Sequence, residues 1–257
     1  MNKIITRFPS KWAKRTFRFV FFAFLSLTCL LATKDATATH FRYGTMTWER
    51  VTAGPPNTVK FTMNTAWRRS FGWGVTPNIG TVITGTGYVL NFGDGGTAPI
   101  TLTVTSVNIA EDWFYATFTV TKTYSTAGPY TAFFQNCCKL SATSGPTIGL
   151  SNGADNSWRI ETVVNTTGGN DAPICNMPPI ISLPTNNANA SFTMLATDPN
   201  NDVLRYSLST PAQMCQAGQP CNNPQAPGLS VDSITGVVTL NTVGKAINTL
   251  WTGQIRI

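Results

Sequence analysis

Histidine is almost missing from this chain: His40 is the only one in 257 residues. A serine, threonine or cysteine nucleophile needs a base beside it, most often an imidazole, so nucleophilic catalysis has little to draw on. A zinc site is a poor alternative on the same ground, since no Cys-x-x-Cys pair compensates for the missing imidazoles. Helical periodicity is missing as well. From residue 39 onward no window of about 12 residues carries an apolar repeat near 3.6. Charge is scarce: Asp, Glu, Lys and Arg make up 11% of the chain, against about 25% in ordinary soluble proteins. No apolar run is long enough to cross a bilayer comfortably, because Phe19 to Ala32 gives 14 uncharged residues where about 20 are needed.

What stands at the N-terminus is a targeting segment. Lys3, Arg7, Lys11, Lys14, Arg15 and Arg18 form a basic leader, the run Phe19 to Ala32 follows, and Ala36-Thr37-Ala38 supplies a small-x-small cleavage pattern. An uncleaved anchor is the alternative. Removal of residues 1–38 leaves 11 basic and 10 acidic residues, a net charge of +1. No basic stripe survives to neutralise phosphates, so no nucleic-acid partner is expected. The sequence predicts a secreted or cell-surface protein.

The remainder is rich in strand and turn formers. Threonine occurs 40 times, and Gly, Pro and Asn separate short apolar runs, a composition that suits pleated surfaces joined by turns. Strands are expected at Phe41–Trp48, Val59–Met63, Thr81–Ile83, Tyr88–Phe92, Ile100–Val107, Trp113–Thr121 and Tyr130–Phe134, with turns at Gly54-Pro55-Pro56 and Asp94-Gly95-Gly96. Short strands at this spacing predict a β-sandwich. The fold class is all-β.

Five cysteines follow the leader. Cys215 and Cys221 bracket the turn-rich QAGQP and are expected to bridge. Cys137 and Cys138 are adjacent. Trans-linked neighbours have Cα atoms about 3.8 Å apart, below the roughly 4.4 Å a relaxed disulfide spans, so Cys175 is the expected partner of one of them. The odd count leaves one thiol over.

Two stretches carry resemblances. LNFGDGG (Leu90–Gly96) and KTYSTAGPYTAFF (Lys122–Phe134) are similar to the signatures of the PKD family of immunoglobulin-like domains, although Leu90-Asn91 stands where that family has Trp. ATDPNNDVLRYSL (Ala196–Leu208) and GLSVDSITGVVTL (Gly228–Leu240) resemble cadherin-like and immunoglobulin-like extracellular modules. The resemblances imply two tandem immunoglobulin-like sandwiches: a signal peptide at 1–38, a PKD-like domain at 39–168, a linker at 169–178 and a cadherin-like domain at 179–257. The second domain is expected to be incomplete, because GQIRI, Gly253–Ile257, leaves an apolar strand edge without a neighbour. A missing C-terminal anchor or an uncleaved leader would be the only tie to a membrane.

The cadherin-like resemblance also implies calcium. Asp198, Asn200 and Asp202 place side-chain oxygens at alternate positions, as a hard cation requires, and Asp171 in the linker maps onto a fourth ligand. The same residues also read as a turn whose side chains cap their own backbone. Asp94 is expected to be structural. The cluster Trp67, Arg68, Arg69 and Trp73 could stack on a sugar or tuck its rings under the sandwich. Glu111 and Asp112 diverge on a strand and form no acid–base pair. Asn165-Thr166-Thr167 and Asn189-Ala190-Ser191 match the N-glycosylation pattern, which matters only in a eukaryotic secretory route. These readings favour a non-catalytic adhesion or structural module that meets a surface protein or polysaccharide. A carbohydrate-binding accessory module is the alternative. Intact-mass analysis of the exported protein should find Thr39 as its first residue; a leader still attached would defeat the cleavage assignment.

Overall fold

The computed structural model describes residues 40–142 and 149–257. The leader and its cleavage pattern lie outside the described residues. The hairpin that organises the fold is β1 (Phe41–Arg50) with β2 (Thr58–Arg68), paired antiparallel from Phe41↔Trp67 to Arg50↔Val59. Val59, Phe61, Met63, Thr65 and Trp67 are all buried. This period of two sends every second side chain of β2 to one face.

The chain continues as β3 (Val82–Ile83), β4 (Val89–Asn91), β5 (Thr97–Pro99), β6 (Leu102–Asn108), β7 (Trp113–Thr123), β8 (Tyr130–Asn136) and β9 (Trp158–Val164). Two antiparallel sheets result, in the orders β1-β2-β7-β6-β3 and β5-β4-β8-β9. Their inner faces meet in an aromatic core. Trp67 stacks on Tyr88 at 5.3 Å and meets Trp158 edge-on at 5.7 Å, while Phe134 meets Trp158 at 4.5 Å. Each such ring removes on the order of 150–250 Å² from water, so this cluster dominates the hydrophobic stabilisation of the first half.

Two sequence expectations are corrected here. β2 runs to Arg68 and not to Met63, because the inward parity set by Val59 continues through Thr65 to Trp67. β9 was not foreseen, although Trp158, Ile160 and Val164 are buried with the same alternation.

The second half is built from short pieces: β10 (Ile174–Cys175), β11 (Ala190–Thr193), β12 (Ala196–Thr197), β13 (Ser207–Leu208), β14 (Leu229–Val231), β15 (Val237–Leu240) and β16 (Ile255–Arg256). They form one three-stranded sheet, β11-β15-β14, and two pairs, β10-β12 and β13-β16. A single helical turn, α1 (Pro211–Met214), carries a capping box between Thr210 and Gln213. The fold is all-β, and the described residues fall within one compact unit.

The cysteines depart from expectation. Cys137 and Cys138 are joined to each other across a cis peptide bond, with Cα atoms 3.0 Å apart. The trans spacing assumed from sequence does not apply to this pair, and Cys175 is the thiol left over. Cys215 and Cys221 are bonded, with S–S 2.09 Å and Cα–Cα 5.8 Å.

The FGDG segment is a lock between strands. Asp94 Oδ1 accepts the Gly96 N–H at 2.9 Å and Asp94 Oδ2 pairs with Lys122 at 2.6 Å. That Lys122 hydrogen bond is the main reason the Asp94 carboxyl lies below the usual carboxylate range. Gly93 is the tight point: its φ is +82°, and a Cβ there would stand 2.5 Å from the Thr131 carbonyl oxygen. Gly95 has a similar φ of +88° but open space around it. Gly95→Ala should therefore cost about 1–2 kcal/mol for its left-handed backbone alone, and Gly93→Ala clearly more, because backbone must also move. Equal losses in denaturant unfolding would refute the close-approach assignment.

Candidate functional site

Of the expected site residues, Asp171, Asn200 and the Cys215–Cys221 loop lie along a seam between the two halves, whereas Trp67, Arg68, Arg69 and Trp73 belong to the first half. The seam is built from two different kinds of contact. At one end the segment expected as a linker lies along β1. The Ala172 N–H donates to the Trp48 carbonyl at 3.0 Å, and Thr47 Oγ1 donates to the Pro173 carbonyl at 3.0 Å. Ala172 is buried in the aromatic core cluster. Asp171 is fixed by this docking. Its Oδ1 accepts from the Arg50 backbone N–H at 2.8 Å and from Arg50 Nε at 3.0 Å. Burial pushes the Asp171 carboxyl up, but the hydrogen bonds and charge of Arg50 outweigh it and hold the group below its ordinary value.

The turn at Asp198 closes on itself. Asp198 Oδ1 accepts the N–H of Asn200 at 2.8 Å and of Asp202 at 3.0 Å. Asn201 takes a left-handed φ of 64° between them, a conformation asparagine tolerates. Asn200 Oδ1 then accepts the Asp171 N–H at 2.7 Å. Asp171 thus meets the turn through its backbone, while its carboxylate faces Arg50. The Asp171 carboxylate therefore points to Arg50, while Asp198, Asn200 and Asp202 are joined by the Asp198 Oδ1 bonds of their own turn. Among the described residues no group of three or more His, Cys, Asp or Glu gathers as a metal site.

At the other end of the seam the contact is a set of buried side-chain amides. Asn152 Nδ2 donates to the carbonyls of Asn223 at 3.1 Å and Thr252 at 3.0 Å, and its Oδ1 accepts the Thr252 N–H at 2.8 Å. Asn156 Nδ2 donates to the Asn222 carbonyl at 2.8 Å, and its Oδ1 accepts the Asn222 N–H at 3.1 Å. Ser157 Oγ accepts the Gln216 N–H at 3.0 Å. These three residues precede β9, and these side-chain partners lie in the second half: Gln216 inside the Cys215–Cys221 loop, Asn222 and Asn223 just after it, and Thr252 shortly before β16. Sequence reasoning missed them. Their only signal was the unusual run SNGADNS, Ser151–Ser157, which looks like an exposed turn.

Between the two contacts lies a cleft of about 710 Å³ whose walls include Tyr43, Lys139, Trp158, Phe192, Met214 and Leu240. Burial brings the Lys139 amine down to about 8 and pushes the Tyr43 hydroxyl well above its ordinary value.

The aromatic and basic loop is resolved differently from its sugar-binding expectation. Trp67 is fully buried, and its Nε1 donates to Thr65 Oγ1 at 2.8 Å, so no sugar can reach its face. Trp73 packs edge-on against Trp67 and Phe114 and donates from Nε1 to the Arg68 carbonyl at 2.9 Å. Arg68 Nε is buried without a hydrogen-bond partner, while Arg69 is held by the Pro77 carbonyl and Asn78. His40 is buried, stacks on Phe71 at 4.1 Å, and its Nε2 contacts the Tyr88 hydroxyl. The tucked arrangement accounts for every ring in the cluster.

Residues 42–167 match the family described as Integrin beta-like protein A-E, N-terminal. The chain is 36% identical over 258 aligned residues to Integrin beta-like protein A of Dictyostelium discoideum, an alignment covering 93% of this chain and 11% of that protein. It is 33% identical to Integrin beta-like protein C of the same organism, over 83% of this chain and 11% of the relative. The chain thus spans about a tenth of the length of these relatives. No solved structure matches. The matched family is neither of the two whose motifs the sequence resembles, and those motifs here form strand locks: Asp94 with Lys122, and Asp232, whose Oδ1 accepts the N–H groups of Ile234 at 3.0 Å and Thr235 at 2.7 Å.

The Arg50–Asp171 pair makes the first contact testable. A carboxyl held below its ordinary value of about 3.9 contributes stability above that pH and loses it as pH falls through the folded-state value. Asp171→Asn should cost about 1 kcal/mol at pH 7, and the gap from the unmodified protein should close as acidification protonates the Asp171 carboxyl below its ordinary range. A gap that persists unchanged in acid would show that the ion pair is not its source.

Proposed function

We propose that this chain is a non-catalytic, adhesion-type module of an exported surface protein, acting as a rigid two-part body. The observation that carries the reading is the similarity, over nearly the whole chain, to integrin beta-like proteins of Dictyostelium discoideum. The seam supplies the physical rationale. A module that transmits tension or fixes a spacing must not hinge, and here every buried amide of Asn152 and Asn156 would lose its partners if the halves separated. Leaving such groups buried and unpaired costs roughly 1–3 kcal/mol each, so hinge motion is opposed by several groups at once. The partner in this reading is a protein or polysaccharide on another surface. The sugar-stacking alternative loses its platform with the burial of Trp67.

Beads coated with the exported chain should retain cells above beads coated with the same protein after reduction and heating. Equal retention on both would remove the adhesion reading. The proposal gives the seam to protein groups, so chelation of calcium should leave the melting temperature unchanged. A rise of several degrees in millimolar calcium would assign the Asp198 turn to an ion instead.

A further inference from the structure

The two Asn-x-Ser/Thr tripeptides have no part in the adhesion reading, and the structure sets them apart from each other. Asn165 follows the last residue of β9 and is exposed. Its Oδ1 accepts the Thr167 N–H at 3.0 Å. That Asx turn closes inside the acceptor tripeptide, so it requires no tertiary contact and is open to the chain before folding. Gly168 and Gly169 follow with φ of 78° and 81°, left-handed values that turn the chain just beyond the tripeptide.

The second tripeptide lies in a ladder. Ala190 is 1% exposed and pairs with Leu240, and Ser191 pairs with Thr239. The local turn there forms upstream, with Asn187 Oδ1 accepting the Asn189 N–H at 2.8 Å. Asn189 is exposed, but the two residues after it are extended, and no turn closes across the acceptor pattern.

We propose that Asn165 is an N-glycosylation site of this protein, modified in preference to Asn189. The proposal rests on the export reading, and the eukaryotic source of the relatives supplies the compartment in which such transfer occurs. A bond forms between Asn165 Nδ2 and the anomeric carbon of an oligosaccharide carried on a lipid pyrophosphate. The bond from that carbon to the pyrophosphate oxygen breaks, the lipid pyrophosphate leaves with the electron pair, and the amide nitrogen gives up one proton. No oxidant or reductant is involved.

The position has a physical consequence. β9 is the edge strand of its sheet, and Val163 on it is 57% exposed. The Val163 carbonyl is taken by Trp48 Nε1 at 2.9 Å, so the exposed feature of this edge is the apolar Val163 side chain and not an open backbone ladder. A branched, hydrated glycan at Asn165, two residues on, would add polar cover beside that exposed valine. Thr166, the middle residue of the tripeptide, plays a separate role, since its Oγ1 donates to Asn57 Oδ1 at 2.8 Å across the β1–β2 turn.

The test uses the full chain with its own leader, secreted by a eukaryotic host and collected from the medium. Peptide-N-glycosidase should remove a glycan and leave aspartate in place of Asn165, read by peptide mass mapping, with Asn189 mostly unmodified. Asn165→Gln and Thr167→Ala should each abolish the modification at this site. Thr166→Ala, which keeps the acceptor pattern while breaking the bond to Asn57, should retain it. Secreted protein with Asn165 unmodified, or with the glycan on Asn189 in preference, overturns the proposal. Failure of the natural leader to deliver the chain counts against export alone, and the same mapping on residues 39–257 behind a foreign secretion leader then decides the site.

Discussion

The two halves of this protein are tied together by the rule that a buried amide must be hydrogen-bonded. Asn152 and Asn156 are 6% and 1% exposed, and each bonds to backbone in the second half through both its nitrogen and its oxygen. Backbone partners are fixed in direction and specific in register, so these contacts select one docking geometry where an apolar interface would tolerate sliding. The Cys215–Cys221 bridge closes the loop immediately before Asn222 and Asn223, whose backbone groups meet Asn156 and Asn152.

The opposite end of the seam depends on a charged pair of a different character. Arg50 and Asp171 have side chains 30% and 17% exposed, partly within solvent reach, so their attraction is screened more than that of a buried pair. What makes the contact specific is the added backbone N–H of Arg50 and the docking of Ala172 against Trp48. Asn200 completes the link by accepting the Asp171 N–H. The turn that resembles a calcium loop thus caps its own backbone and also holds the connecting segment through Asn200.

The aromatic cluster illustrates how one misplaced strand end changes a functional reading. With β2 ending at Met63, Trp67 falls in a loop and looks available for stacking. With β2 continued by the parity of Val59, Phe61 and Met63, Trp67 points inward and becomes the centre of the core, touching Tyr88, Phe134 and Trp158. The alternation was in the sequence, but Asn64 and Thr65 masked it, because polar residues on a strand look like its end.

The sequence by itself determined the all-β class, most strand positions in the first half, the Cys215–Cys221 pairing and the turn at Asp94, since each follows from period-two alternation or from residues within a few positions of each other. Tertiary structure alone decided the rest. Which way the Asp171 carboxylate faces depends on Arg50, 121 residues away. The partners of Asn152 lie up to 100 residues distant, and nothing local distinguishes a buried asparagine from one in an exposed turn. Cys137 is joined to Cys138, and Cys175 is left over, which no spacing in the sequence decided. Local chemistry writes strands and turns into a sequence, whereas the destination of a polar side chain is set by whichever distant backbone the finished fold brings within hydrogen-bond reach.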